Sequence, residues 1–222
     1  MYSFAQRQDT KVFDEPLFAH YAEHTGIELG RGTHEVVQQM EKDGEKIIKE
    51  VILGEHNKPV VFIKSLANQL VGVDKSFLQR TQNIFLIRDP LEIINAYTKF
   101  LEKPTMTHIG IKAVYDLHSE ISKQGLSTIL LTYKDLLKHP ETMLQKLCTS
   151  LEIPFDKNML SWQAGPKPED GGWAKIWYTS LHKSTGFKTY QAKEINLPES
   201  LHSLAEESRK YYDLLYKCAL KP

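Results

Sequence analysis

Short apolar runs of strand length alternate along the chain with longer stretches in which apolar residues recur every three or four positions. That alternation predicts parallel strands joined by helices. A strand buried on both faces reads as a continuous hydrophobic run, whereas a covering helix shows a single apolar stripe. Three runs predict strands at Pro59–Lys64, Asn83–Arg88 and Ser127–Thr132, with a shorter fourth at Lys11–Phe13. Between the first two in chain order, Val36, Met40, Ile47 and Val51 fall at helical spacing and predict one helix from Glu35 to Leu53, stopped by Gly54. Pro90 and Pro140 each suit a first helical turn, where a missing N–H leaves nothing unbonded. Gly125 ends a helix starting near Thr107, the Pro140 helix runs through Leu144 and Leu147 to Leu151, and a last helix covers roughly Pro198–Leu220. The stretch Ala164–Gly172, rich in Gly, Pro and charge, predicts an exposed loop.

Composition narrows this picture. With 222 residues, 41% of them hydrophobic, the chain suffices for one well-buried core and is expected to form a single domain over 1–222. Lys plus Arg and Asp plus Glu both number 28, so no net field draws the protein to nucleic acid or to an anionic membrane. Cys148 and Cys218, in separate helical segments, make no disulfide framework and point to a reducing compartment. The amino-terminal segment is charged from Arg7 onward and lacks a secretory apolar core, and the apolar runs fall far short of the ~20 residues that cross a bilayer. A soluble, cytoplasmic protein is expected.

In a parallel α/β sheet, ligands gather at the carboxyl ends of the strands. The polar groups there are Asp14-Glu15, Lys64-Ser65, Arg88-Asp89-Pro90 and Tyr133-Lys134-Asp135. Arg88 offers a planar fork suited to phosphate, or a plain strand-end salt bridge. Asp14-Glu15-Pro16 reads equally as a turn. His20-Tyr-Ala-Glu-His24 matches the His-x-x-Glu-His pattern of inverted zinc peptidases, with two imidazoles on one helix face. A third ligand would have to be Glu28 or Glu35, and the glycine-rich stretch between supplies no framework for one, so no metal is expected. No Gly-x-x-x-x-Gly-Lys-Ser/Thr sequence is present to cradle ATP.

Two of the strand ends resemble the sulfotransferase family. Phe85-Leu-Ile-Arg-Asp-Pro90, leading into a helix, resembles the segment whose arginine grips the 3′-phosphate of 3′-phosphoadenosine 5′-phosphosulfate (PAPS). Thr132-Tyr-Lys-Asp-Leu-Leu-Lys-His-Pro140, continuing to Leu151-Glu-Ile-Pro-Phe-Asp156, resembles the family's tyrosine-acid-leucine segment, its proline-started helix and its Ile-Pro-Phe turn. Met1–Leu17 is similar to relatives in which a strand, a Gly-Pro-Arg loop and a Ser-Thr pair come first. The first strand and the 5′-phosphosulfate loop are therefore expected to be missing from an otherwise three-layer α/β/α, P-loop NTPase-like fold with a central parallel sheet.

The resemblance implies sulfuryl transfer from PAPS to a hydroxyl or amine of a small-molecule acceptor, without a metal. It assigns Arg88 to the 3′-phosphate, Tyr133 to the adenine, and Lys183, in His182-Lys-Ser-Thr-Gly186, to a basic loop over the same phosphate. Where the family usually has a serine donor, this chain has Ala96 with Asn95 beside it as the substitute. Lys64 is assigned to the bridging oxygen of the phosphosulfate. No histidine follows it, so the acceptor's proton falls to Glu15, with Asp14 orienting it or serving in its place. Trp173, Trp177 and Tyr178 are candidates for an acceptor wall. The competing expectation is a non-catalytic binding protein of the same fold.

Overall fold

The computed structural model describes residues 1–27 and 33–222. The parallel α/β pattern holds: β1 (Thr10–Asp14) pairs with β2 (Val60–Lys64), and β3 (Asn83–Ile87) pairs with β4 (Thr128–Thr132), both in parallel. The described residues divide into two compact units, Met1–Arg80 with Asp156–Lys188, and Thr81–Phe155 with Thr189–Pro222. Each unit contains one strand pair.

In the first unit, Asp14 lies opposite Lys64 at the carboxyl end of the register. Phe4 stacks on Phe62 of β2 with ring centroids 4.2 Å apart. The helix Phe18–Thr25 buries Ala19 and Ala22 against Val37, and Gly26 ends it in the left-handed region at φ 61°. Trp173 is buried and packs on Phe18 at 4.9 Å, so it belongs to the core.

The single helix expected from Glu35 to Leu53 is broken. Thr33–Gln39 stops, and a new helical turn, Gly44–Ile47, begins at Asp43, whose carboxylate accepts the Lys46 N–H at 3.1 Å. Glu41 reinforces the break by accepting the N–H groups of Lys42 and Asp43. An apolar period can run through such a junction, but the local carboxylates offer the backbone a better bond than the helix does.

In the second unit, Pro90–Tyr97 starts at Pro90 under the Asp89 cap, and Pro140–Ser150 starts at Pro140, as expected. The helix expected from Thr107 is interrupted at Gly110 (φ 72°), which separates Met106–Ile109 from Ile111–Lys123. The last helix, His202–Cys218, packs against Ile111–Lys123 and Pro90–Tyr97. Ile87, Ile94, Ile121, Leu130, Met143 and Leu215 are at most 2% exposed and form the core here. Each such side chain contributes about 1.5–3 kcal/mol relative to exposure.

Burial of the strands is less complete than their apolar sequences suggest. Val60–Lys64 is half-buried throughout, and Leu86 is 52% exposed. Each strand has a single ladder partner among the described residues. Cys148 and Cys218 are free thiols, the first buried and the second exposed. No described helix is long and apolar enough to cross a membrane.

Candidate functional site

Two groups of polar side chains stand at strand carboxyl ends, one in each unit. In the first, the ends of β1 and β2 bring Asp14, Glu15 and Lys64 together. The Lys64 ammonium is bonded to Glu15 Oε1, lies 3.3 Å from Asp14 Oδ1, and donates to the Tyr178 hydroxyl at 3.1 Å. Tyr178 in turn donates to the Asp14 carboxylate at 2.8 Å, and the Gly171 N–H donates to the same oxygen, Asp14 Oδ2, at 3.1 Å. The second Glu15 oxygen, Oε2, accepts from the fully buried Gln69 amide at 2.5 Å.

Local backbone geometry sets up this cluster. Glu15 occupies the left-handed region at φ 47°, and its N–H donates to the Lys64 carbonyl at 2.7 Å, one step beyond the strand register. A non-glycine residue in that region stores strain of about 1–3 kcal/mol, and such strain concentrates at functional positions. Both carboxylates are nearly fully buried. Burial holds the Lys64 ammonium below the ordinary lysine value, against the opposing pull of Asp14. Burial first, then the Asp14 charge and its hydrogen bond, push the Tyr178 phenol upward.

A further carboxylate lies in the predicted exposed loop. The Asp170 side chain is 6% exposed, so this carboxylate turns inward although the loop around it is half-buried or exposed. It accepts from the Tyr2 hydroxyl at 2.6 Å and from the Lys167 N–H at 2.7 Å, and His182 Nε2 lies 2.9 Å from it. Burial, followed by the Asp170 bond, raises the Tyr2 phenol. The Tyr178 and His182 rings meet edge-on at 6.3 Å, linking this group to Asp14 and Lys64. Crowding accompanies the turn: a Cβ at Gly171 would fall 2.3 Å from the Trp173 indole, and one at Gly172 would fall 2.6 Å from Val36. Only glycine lets the main chain come in this close.

In the second unit, Arg88 and Tyr133 each follow directly on the last register pair, Ile87 and Thr132. The Arg88 guanidinium lies 4.6 Å from the Tyr133 ring centroid, a cation–π contact. Arg88 Nε donates to Glu92 at 2.8 Å, and the other Glu92 oxygen accepts from Tyr190 at 2.7 Å. That bond, ahead of burial, pushes the Tyr190 phenol up to about 12. Asp89 caps the helix and also accepts from Arg209 through both oxygens at 2.7 and 2.8 Å.

The sequence-derived candidates therefore fall into two sets. Asp14, Glu15 and Lys64 meet in the first unit, and Arg88 and Tyr133 meet in the second. Asn95 is half-buried on Pro90–Tyr97, where its carbonyl accepts from Thr98. Lys183 belongs to the first unit, exposed in a turn. His20, the first member of the zinc-like motif, has Nδ1 3.0 Å from the Lys42 carbonyl and Nε2 2.9 Å from the Val71 carbonyl, so neither nitrogen is open to a metal. Glu28 lies outside the described residues.

The family model for the sulfotransferase domain matches residues 1–212. The chain belongs to the sulfotransferase-domain family. Among solved structures, the sulfotransferase domain from the curacin biosynthetic pathway aligns with a TM-score of 0.51 and 14% identity, covering 91% of this chain and 78% of that one, a likeness of fold. Two Arabidopsis thaliana proteins, branched-chain-amino-acid aminotransferase-like proteins 1 and 2, are 39% and 38% identical over 97% and 100% of this chain. The sulfotransferase domain described here spans 39% of the length of each of them.

Proposed function

We propose that this domain binds PAPS as co-substrate and transfers its sulfuryl group to the hydroxyl or amine of a small-molecule acceptor. The observation that carries this reading is the Arg88–Tyr133 pair at the ends of β3 and β4. Glu92 holds Arg88 through Nε alone, and among the described residues no hydrogen bond occupies the two terminal nitrogens. A fork so presented fits a phosphate in bidentate fashion, and the cap of Pro90–Tyr97 adds positive potential beside it. Adenine would contact Tyr133 on the ring face away from Arg88 or at its hydroxyl.

PAPS supplies an activated sulfuryl group on a phosphate leaving group, and the work left to the protein is positioning and charge stabilisation. Arg88 and Tyr133 hold the nucleotide, and Asn95 of the same unit is a further candidate for its 3′-phosphate. Lys64 does not stand free for an anion, because its three N–H groups face Glu15, Asp14 and Tyr178. Its role is to neutralise the two buried carboxylates.

That same observation favours a second reading, a sulfotransferase-fold binding protein without turnover. Titration calorimetry with adenosine 3′,5′-bisphosphate tests what the two readings share. Binding is expected, with a loss of tenfold or more in Arg88→Ala, since a charge-assisted phosphate bond is worth about 1.5–3 kcal/mol. Absence of heat at millimolar nucleotide would remove both readings. Consumption of PAPS in the presence of phenols and primary amines separates the first from the second.

A further inference from the structure

Two carboxylates lie close to the Arg88 fork in the chain, and either could take the place of a phosphate on it. Asp89 is the next residue, and Glu92 lies four positions on, the spacing at which side chains meet on a helix. An arginine that closes on its own carboxylate has no terminal nitrogens left for a ligand. Neither carboxylate closes on the fork here. Asp89 is engaged by the Leu91 N–H and, through both oxygens, by Arg209. Glu92 takes only the Arg88 Nε–H, at 2.8 Å on Oε2, and its other oxygen, Oε1, accepts from the Tyr190 hydroxyl at 2.7 Å. The Arg88 side chain keeps 37% of its surface exposed against 13% for Glu92, so the fork is reachable while its brace is covered.

Tyr190 is itself held from a second side. The Lys138 ammonium lies 5.8 Å from its ring centroid, and Lys138 ends the helix Tyr133–Lys138, which begins at the other member of the Arg88–Tyr133 pair. Tyr190 therefore joins the helices that follow β3 and β4, from a stretch, 189–198, that carries no helix or strand of its own. The phenol remains a donor at neutral pH, because its bond to Glu92 and then burial push it up to about 12. All of these residues belong to the second unit. With Oε1 occupied in this way, Glu92 cannot turn to chelate both terminal nitrogens of Arg88 without giving up a hydrogen bond.

We propose that Tyr190, acting through Glu92, is a positioning residue that keeps the terminal nitrogens of Arg88 open for a phosphate group of the nucleotide. This rests on the nucleotide reading above and names what makes its phosphate fork available. Tyr190 touches no part of the ligand. It restrains Glu92, which braces Arg88 at Nε and leaves the two terminal nitrogens without a hydrogen bond among the described residues. Without the Tyr190 hydroxyl, Glu92 is released to form the paired bonds that arginine makes with carboxylates, and the nucleotide then has to displace it.

The first test needs no nucleotide. In nitrogen NMR of the full chain, the Arg88 Nε–H is expected to exchange slowly with water, and in Tyr190→Phe to exchange about threefold faster or more as Glu92 swings to the terminal nitrogens. Equal exchange in parent and variant would overturn the proposal. Tyr190→Phe keeps the ring and its contact with Lys138, so the variant tests the hydroxyl alone. The second test is titration calorimetry with adenosine 3′,5′-bisphosphate, arranged as a double-mutant cycle. Tyr190→Phe is expected to weaken binding by roughly fivefold, and the same change made on Glu92→Ala to shift it by less than about twofold, because the competing carboxylate is gone. A loss of the same size on both backgrounds gives Tyr190 an effect independent of Glu92 and sinks the proposal. A parent that binds no nucleotide sinks the nucleotide reading and this inference together, whereas equal binding by parent and Tyr190→Phe sinks the inference alone.

Discussion

Glu15 shows how one residue can look wrong for its backbone and right for its surroundings. Its φ of 47° costs conformational energy, yet the turn it makes sets its carboxylate against Lys64 and Gln69. Replacing it with Gln removes the charge that faces a half-buried ammonium. Glu15→Gln should lower stability by about 1–2 kcal/mol in urea unfolding, less than a fully buried pair because Lys64 keeps some water. The phenols give a pH prediction. Tyr2 and Tyr178 are both raised above the ordinary tyrosine value of 10.0, so in that range the folded chain binds protons that the unfolded chain has lost. Their contribution is complete below pH 10 and is lost as pH rises beyond it. Lys64, lowered from 10.5, acts in the opposite sense between its depressed value and 10.5, where the unfolded chain holds more protons. Together with Tyr190 and Tyr212, also raised, these phenols outweigh one lowered amine, so thermal stability should fall above pH 10, and Tyr178→Phe should flatten that fall. At this scale the sequence was partly legible. Asp14, Glu15, Lys64, Arg88 and Tyr133 could be singled out because each follows an apolar run. Asp170 and the orienting of His182 could not, because a loop rich in Gly, Pro and charge reads as solvent-exposed whether or not one carboxylate turns inward.

Elements were legible where one signal dominated. All four strands appear within a residue or two of their apolar runs, and Pro90 and Pro140 open helices as proline chemistry requires. The misses lie where periodicity competes with local bonding. Val36, Met40, Ile47 and Val51 keep helical spacing across the Asp43-Gly44 junction, but the capping carboxylates break the ladder there. Gly44 is held by crowding: a Cβ would meet Val73 Cγ1 at 2.5 Å and the His20 ring at 2.9 Å. Gly110 is held by conformation alone, at φ 72° with nothing within 4 Å of a built Cβ. The two alanine variants should separate these causes. Gly110→Ala should cost about 1–2 kcal/mol and leave the neighbours unmoved. Gly44→Ala should cost about 1–3 kcal/mol and shift the His20 and Val73 resonances.

For the molecule as a whole, the family resemblance carried information that periodicity could not. Spacing alone predicts an α/β protein, whereas Phe85–Pro90 and Thr132–Asp156 point to the sulfotransferase family to which residues 1–212 match. The nucleotide reading has a bulk consequence. Adenosine 3′,5′-bisphosphate at a hundredfold excess over its Kd should stabilise the fold by about 2.7 kcal/mol, seen as a raised melting temperature. Arg88→Ala, with its tenfold weaker binding, should cut the stabilisation at that concentration to about 1.4 kcal/mol.

The chain passes from one compact unit to the other three times, at residues 80/81, 155/156 and 188/189. Strands β1 and β2 leave the ribosome early, but Asp170, Tyr178 and His182 are made some hundred residues later. Until then the Asp14, Glu15 and Lys64 charges lack the tyrosine, the glycine amide and the histidine that surround them in the finished protein. A nascent chain stopped after Phe155 should expose these groups to protease and solvent. Maturation of this cluster is then a late event, timed by translation rather than by the closing of the β1–β2 ladder.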